Sequence, residues 1–321
     1  VRNRKSASTL NLLGFKSTGT NLNLRYPLNT ILMDSIFNIR YNINDSEPSK
    51  FGFNPLNKDL PKLTSNTYAL PPAIFVKNGY ADVKLTPDNI IANQTQFVNQ
   101  LSGQHTTFYS QFYVAHETTN ATITGSQNRV TLTKKGNDAI DIHYKVTVPA
   151  GKQSYLKFAN ATYQNQDAEY VKLTLNDRIS YINTNDTGSL INLGYYTQPT
   201  VLDIKLSFPN NTYVNFDTTE FWALDTDAYT ATIHKLKENK VTATPIKNGL
   251  QATVSAQSKG DLFFTIPYDK GWSATVDGQA VKIKQAQTGF MTVPVSKGPH
   301  TIVLRFVPQG LKIGIMCFVT A

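Results

Sequence analysis

Ile140-Asp141-Ile142-His143-Tyr144-Lys145-Val146-Thr147-Val148 alternates apolar and polar side chains without a break. Successive side chains of a strand point to opposite faces, so the segment reads as a strand with one dry face and one wet face. Pro149-Ala150-Gly151-Lys152 then turns the chain. Further strands are expected at 155–158, 170–175, 190–193 and 201–208, separated by clusters of turn-forming residues. The stretch from about 105 to 240 therefore reads as a β-sandwich, and 227–236 fits either a short helix or a strand.

Downstream, 241–250 holds Pro245 and Asn248-Gly249 and reads as a linker. Beyond it, Leu262, Phe264 and Ile266 share one strand face. Residues 272–276 and 279–283 flank Asp277-Gly278, a two-residue hairpin signal, and a strand follows at 300–307. Upstream, Ile31, Leu32, Ser35, Ile36 and Ile39 suggest a short helix over 30–38, followed by a strand from Ile39 to Ile43. The proline-rich stretch from Asp45 to Pro72 reads as ordered loop. A longer helix follows, with Thr86 as its cap, Pro87 in its first turn and Gly103 at its end.

Composition agrees with a mainly β fold. Aromatic residues make up 11%, and glutamate, a helix former, occurs five times in 321 residues. That length exceeds one ordinary core and fits two or three domains. The expected architecture is two β-sandwich modules, one jelly-roll-like and one small and Ig-like, with a small α/β membrane-proximal segment. The expected divisions are 1–75 for the mixed segment, 76–240 for a sandwich with one N-terminal helix, and 241–310 for the small sandwich.

The formal net charge is +9. Such a surface attracts polyanions, but the lysines are scattered and no nucleic-acid-binding motif accompanies them, so the expected partner is not nucleic acid. A lone cysteine, Cys317, excludes an intrachain disulfide. The chain opens with Val1-Arg2-Asn3-Arg4-Lys5, without methionine or an apolar run, and so reads as a piece of a longer protein. Leu311 to Ala321 is nearly all apolar. It is expected to be the start of a truncated transmembrane helix, about half a bilayer core in length.

The run Phe264-Thr265-Ile266-Pro267-Tyr268-Asp269-Lys270-Gly271-Trp272, with Val276-Asp277-Gly278, Gly289-Phe290-Met291 and Gly298-Pro299-His300-Thr301-Ile302, resembles the C-terminal end of YfhO-like bacterial membrane proteins. The stretches from Ile31 to Tyr41 and from Pro87 to Gly103 resemble elements of the same family. The resemblance implies an outer domain placed before a final membrane span. It also implies a parent that is a polytopic glycosyltransferase using a polyprenyl-phosphate sugar outside the membrane, associated with lipoteichoic acid or another envelope polymer. In such proteins the catalytic acids belong to a loop between early spans, so no catalytic residue carries over to this chain.

Contact candidates come from residue type. Tyr195 and Tyr196, beside Gly194, and Trp272 offer aromatic faces to a sugar ring, although Trp272 also suits a small core. Arg25, Tyr26, Arg40 and Tyr41 lie in the part expected nearest the membrane, where they suit phosphates of a lipid carrier or polymer. Asp225-Thr226-Asp227 is a DxD triplet without the βα context that a sugar-nucleotide transferase supplies, and the five histidines form no zinc pattern. No metal and no cofactor is expected. His143 falls on a wet strand face, and His300 reads as a core-edge histidine with a backbone partner.

The leading reading is an extracellular accessory domain on the outer face of the cell membrane of a Gram-positive type bacterium, positioning an anionic acceptor rather than performing chemistry. Its partners would be the parent's own transmembrane helices and an anionic cell-wall polymer or polyprenyl-phosphate sugar. The alternative is a purely structural or adhesive module packing on membrane helices or partner proteins. A secreted hydrolase would need paired carboxylates in a cleft, which spacing alone cannot show.

Overall fold

The computed structural model describes residues 4–17, 24–25, 30–43, 48–126, 128–158, 162–163, 170–183, 190–209, 211–308 and 310–311. Among the described residues, strands account for 49% and helices for 15%, so the fold is mainly β. All strand pairs among the described residues are antiparallel.

Five layers stack on one another. The first is a five-stranded sheet ordered Arg178–Asn183, Tyr170–Leu175, Thr200–Phe208, Ile140–Val148, His116–Thr119. Two four-stranded sheets cover its dry face. One runs Leu190–Tyr195, Lys152–Lys157, Glu220–Asp225, Tyr109–Phe112, and the other runs Thr162–Tyr163, Tyr213–Asp217, Arg129–Lys134, Ala121–Ser126. Tyr144, Val146, Leu156, Ile191, Leu206, Val214, Phe216 and Phe221 share the core between them.

The third layer is helical. It contains α1 (Arg4–Leu12), α2 (Ile31–Ile36), α3 (Ile90–Ser102) and α4 (Thr226–Lys237). The fourth is a sheet ordered Lys284–Ala286, Phe290–Val295, Gly260–Phe264, Ala73–Lys77. The fifth is ordered Thr242–Ile246, Gly249–Ala256, Gly298–Phe306, Trp272–Val276, Gln279–Val281.

The helical layer is possible because the sheet on either side of it is dry on both faces. Tyr155 and Leu190 face the helices, while their neighbours Leu156 and Ile191 face the first sandwich core. Ile74, Val76 and Phe263 likewise face the helices, while Ala73, Phe75, Leu262 and Phe264 face the second sandwich core. A sheet covered on both faces reads as a continuous apolar run, as Gly260–Phe264 does.

Several local expectations change. Helix α3 is capped by Asn89, whose side chain accepts from the Ala92 N–H, and not by Thr86. Asp88, at φ 61°, breaks the path from Pro87 into the helix. The Thr86 N–H goes instead to Asn93 Oδ1 at 2.9 Å. Gly103 ends the helix in the left-handed region as expected. The linker expected at 241–250 is a hairpin, with Thr242–Ile246 paired to Gly249–Ala256 and Asn248 at φ 56° in the turn. Within the stretch expected as loop, Phe53–Pro55 and Leu63–Asn66 are strands that join Tyr41–Ile43 in a three-stranded sheet. Residues 227–236 are helical. Two elements cross the expected divisions: Ala73–Lys77 pairs with Gly260–Phe264, and α4 packs in the helical layer beside α3.

Candidate functional site

Tyr109–Phe112 ends in the sheet that faces the helices, and His116–Thr119 begins in the outer five-stranded sheet. The chain between them, Tyr113-Val114-Ala115, crosses the open end of the first sandwich. Asp217-Thr218-Thr219-Glu220 crosses instead between the two four-stranded sheets, from Tyr213–Asp217 to Glu220–Asp225. These crossings border a cleft of about 770 Å³, lined among others by Phe112, Tyr113, His116, Asn128, Asp217 and Glu220. That volume suits several sugar rings. Tyr113 is 91% exposed at its rim. His116 also lines a second depression of about 480 Å³ on the outer sheet, with Glu117, His143, Lys145, Asp203 and Lys205. His116 borders both depressions.

Packing fixes the floor. Tyr144 lies 5.3 Å from Phe221 and 5.6 Å from His116 between ring centroids, and its hydroxyl bonds Thr219 Oγ1 at 2.7 Å. Burial pushes the Tyr144 phenol up to about 12, despite the hydrogen bond to Thr219. It stays protonated as part of the floor. Asp217 accepts from Arg129 at 2.9 Å; Glu220 accepts from Lys157 and from the Trp222 indole, both at 2.8 Å. Both cleft carboxylates are thus engaged by cations. The cleft offers an exposed aromatic face and fixed polar groups, and the second depression offers Lys145 and Lys205, which is equipment for holding a polar chain.

Neither Tyr113 nor His116 was singled out from the sequence. Three aromatics within Tyr109-Ser110-Gln111-Phe112-Tyr113 were the available signal, and a strand core explains such a run equally well. His143 does lie exposed on the wet face of its strand, as expected.

The residues chosen from sequence do not gather in one place. Tyr26 lies outside the described residues, and for Arg25 only the backbone is described, in a two-stranded pair with Lys16–Ser17. Arg40 is exposed and donates to Asn38 Oδ1 at 2.7 Å, and Tyr41 is exposed beside it. A register shift near Ser154 and Tyr155 re-aims the two tyrosines that follow Gly194. Tyr195 packs on Phe51 at 4.9 Å on the helical side, whereas Tyr196 packs against the first sandwich core. Trp272 packs tilted against Phe306 at 5.0 Å between ring centroids and donates to Pro267 O at 3.2 Å at the edge of the last core. The apolar tail after Leu311, with Cys317, lies outside the described residues.

Two motifs acquire structural roles. Asp225 caps α4, accepting from the Asp227 and Ala228 N–H groups, and pairs with Lys152. His300 has side-chain partners rather than a backbone one: Nδ1 meets Asp277 Oδ2 at 2.6 Å and Nε2 meets Ser296 Oγ at 2.9 Å. Asp277 also accepts from the Thr301 N–H at 2.8 Å. The connectivity is that of an acid–base–nucleophile relay. It stands at an exposed corner away from the groove, where it ties the Asp277-Gly278 turn to the start of the neighbouring strand.

A family model described as bacterial membrane protein YfhO matches residues 1–318. No curated protein matches the chain. Among solved structures, a cycloisomaltooligosaccharide glucanotransferase from Paenibacillus sp., crystallised with cycloisomaltoheptaose, is similar at 8% identity. The match covers 60% of this chain and 44% of that one, with a TM-score of 0.23, which is too low to bear on function. Among the described residues, no helix is long and apolar enough to cross a membrane.

Proposed function

The chain belongs to the YfhO family of bacterial membrane proteins, and from that premise we propose that it is an extracellular domain that holds an anionic envelope polymer for glycosylation by its parent membrane protein. The cleft rimmed by Tyr113 carries this reading, because it combines an exposed aromatic face with fixed polar groups, and the depression on the other side of His116 adds Lys145 and Lys205. Charge supports it: the chain carries a formal net charge of +9. A long polyanion is drawn to such a surface before it settles in a groove. The polymer in this reading is lipoteichoic acid or a chemical relative, and the sugar donor is a polyprenyl-phosphate sugar.

Titration of the 321-residue chain with lipoteichoic acid across a range of salt concentrations tests this. Binding at low salt that weakens as salt rises is expected, because exposed charges are screened within about 10 Å at 0.1 M ionic strength. Tyr113→Ala is expected to weaken binding several-fold with folding unchanged, since the side chain is already in water. Absence of binding at low salt overturns the reading. A structural module is the second reading, and one observation favours it: Tyr195, Tyr196 and Trp272 all spend their rings on internal packing.

A further inference from the structure

The three-stranded sheet of Tyr41–Ile43, Leu63–Asn66 and Phe53–Pro55 is turned the wrong way for a sheet in water. One face carries Phe53 and Asn66, which meet the helical layer. The other must then face outward, and antiparallel sheets normally make that face polar. Here Ile43 lies opposite Leu63, and Leu56 donates its N–H to Leu63 O at 2.8 Å, so Ile43, Leu63 and Leu56 form an apolar row across the strands. Tyr41 stands beside that row, and Leu60 projects from the connecting loop. Ile43 is 86% exposed, Tyr41 58%, Leu60 50% and Leu56 47%. These are four of the exposed large apolar side chains among the described residues, gathered on one small sheet. Lys58 and Lys62, both exposed, flank Leu60, with Asp59 between them.

We propose that the outer face of this sheet is a membrane-docking surface, with Tyr41, Ile43, Leu56 and Leu60 seated at the headgroup boundary and Lys58 and Lys62 reaching anionic lipid phosphates. The inference rests on the chain's membership of a bacterial membrane protein family and on the lysines that flank the apolar row. An isolated row of aliphatic side chains in water gains free energy by entering the lipid interface, and a tyrosine between apolar and wet zones suits the boundary. Lysine stems lie along apolar surface while their ammonium groups reach outward to phosphate. The surface would hold the chain close to the bilayer independently of what the groove binds.

The test uses the 321-residue chain with phosphatidylcholine vesicles, prepared with and without phosphatidylglycerol and read by co-flotation. Ile43→Asp and Leu60→Asp should each reduce partition about tenfold, the loss expected when one aliphatic side chain is withdrawn from lipid. Lys58→Glu with Lys62→Glu should abolish the preference for anionic vesicles. A Leu60→Trp variant should gain fluorescence quenching by lipids brominated on their acyl chains, beyond the quenching of the native tryptophans. The substituted side chains are exposed, so unchanged thermal midpoints will show that the fold survives. Partition unaffected by Ile43→Asp and Leu60→Asp overturns the proposal, as does a Leu60→Trp variant that lipid does not quench. Lipoteichoic acid titration of the same variants keeps the groove reading separate, because none of these residues lines it.

Discussion

Asp225 shows how one side chain can mimic a functional motif while serving the fold. Its carboxylate receives the first free N–H groups of α4 and the ammonium of Lys152. Burial alone would push its carboxyl up. The Ala228 N–H, the hydrogen bond and charge of Lys152, and the Asp227 N–H outweigh it and hold the group below its ordinary 3.8. A folded value below the unfolded one means that the stabilisation is fully present above the unfolded value and is lost as pH falls through the folded one. Asp225→Ala is therefore expected to cost about 1 kcal/mol at neutral pH, the usual loss for a helix cap. Denaturant titration should show the gap between variant and native chains closing as pH drops below the carboxylate range. A gap that persists in acid would mean that the side chain acts through packing instead. The DxD spacing was legible in the sequence, but its meaning depended on whether a helix began there.

At the scale of elements, α2 is the helix most dependent on its surroundings. Six residues are too few to be stable alone. Thr30 caps it, the Ile31 N–H donates to the Tyr155 hydroxyl at 3.1 Å, and Ser35 Oγ meets the Tyr229 hydroxyl at 2.6 Å. Asp34 is fully buried and pairs at 3.4 Å with Lys50, itself 2% exposed. Removing one partner of a buried ion pair strands the other charge, whereas replacing both with apolar groups does not. Asp34→Ala is expected to destabilise the chain by about 3–5 kcal/mol, and Asp34→Leu with Lys50→Met by clearly less. Equilibrium unfolding of both variants checks this, and equal losses would show that the pair matters by volume alone. The helix was readable from its apolar stripe. Its buried ion pair was not, because Lys50 comes from a loop whose path has no local signature.

For the whole molecule, the helical layer has a mechanical consequence. The sheets on either side of it each contribute side chains to two cores, so neither sandwich can lose its inner sheet without exposing the helices. Tyr229 sits fully buried at the centre, between Phe51, Tyr68 and Ser35. Tyr229→Ala should cost about 3–5 kcal/mol, as large aromatic truncations do. It should lower amide-exchange protection in Thr200–Phe208 and in Gly298–Phe306 together. Calorimetry should show one transition shifted as a unit, and two separating transitions would mean that the sandwiches fold independently.

By itself the sequence determined the strands of Ile140–Val148 and Thr200–Phe208, the Asp277-Gly278 hairpin, the existence of α2 and α3, and the mainly β class. Each depends on side chains a few positions apart, and strand or helix period prints that directly into the order of residues. Tertiary structure alone decided that helices would lie between two sandwiches, that Ala73–Lys77 would join the last module, and that Tyr113 and His116 would border a groove. It also turned Tyr195 and Tyr196 to opposite cores and left Ile43 and Leu60 facing outward. These outcomes rest on contacts such as Ile31 with Tyr155, 124 residues apart, and Ser35 with Tyr229, 194 apart. The relative placement of such distant segments is set by how whole layers bury their faces, and no local run of residues encodes it.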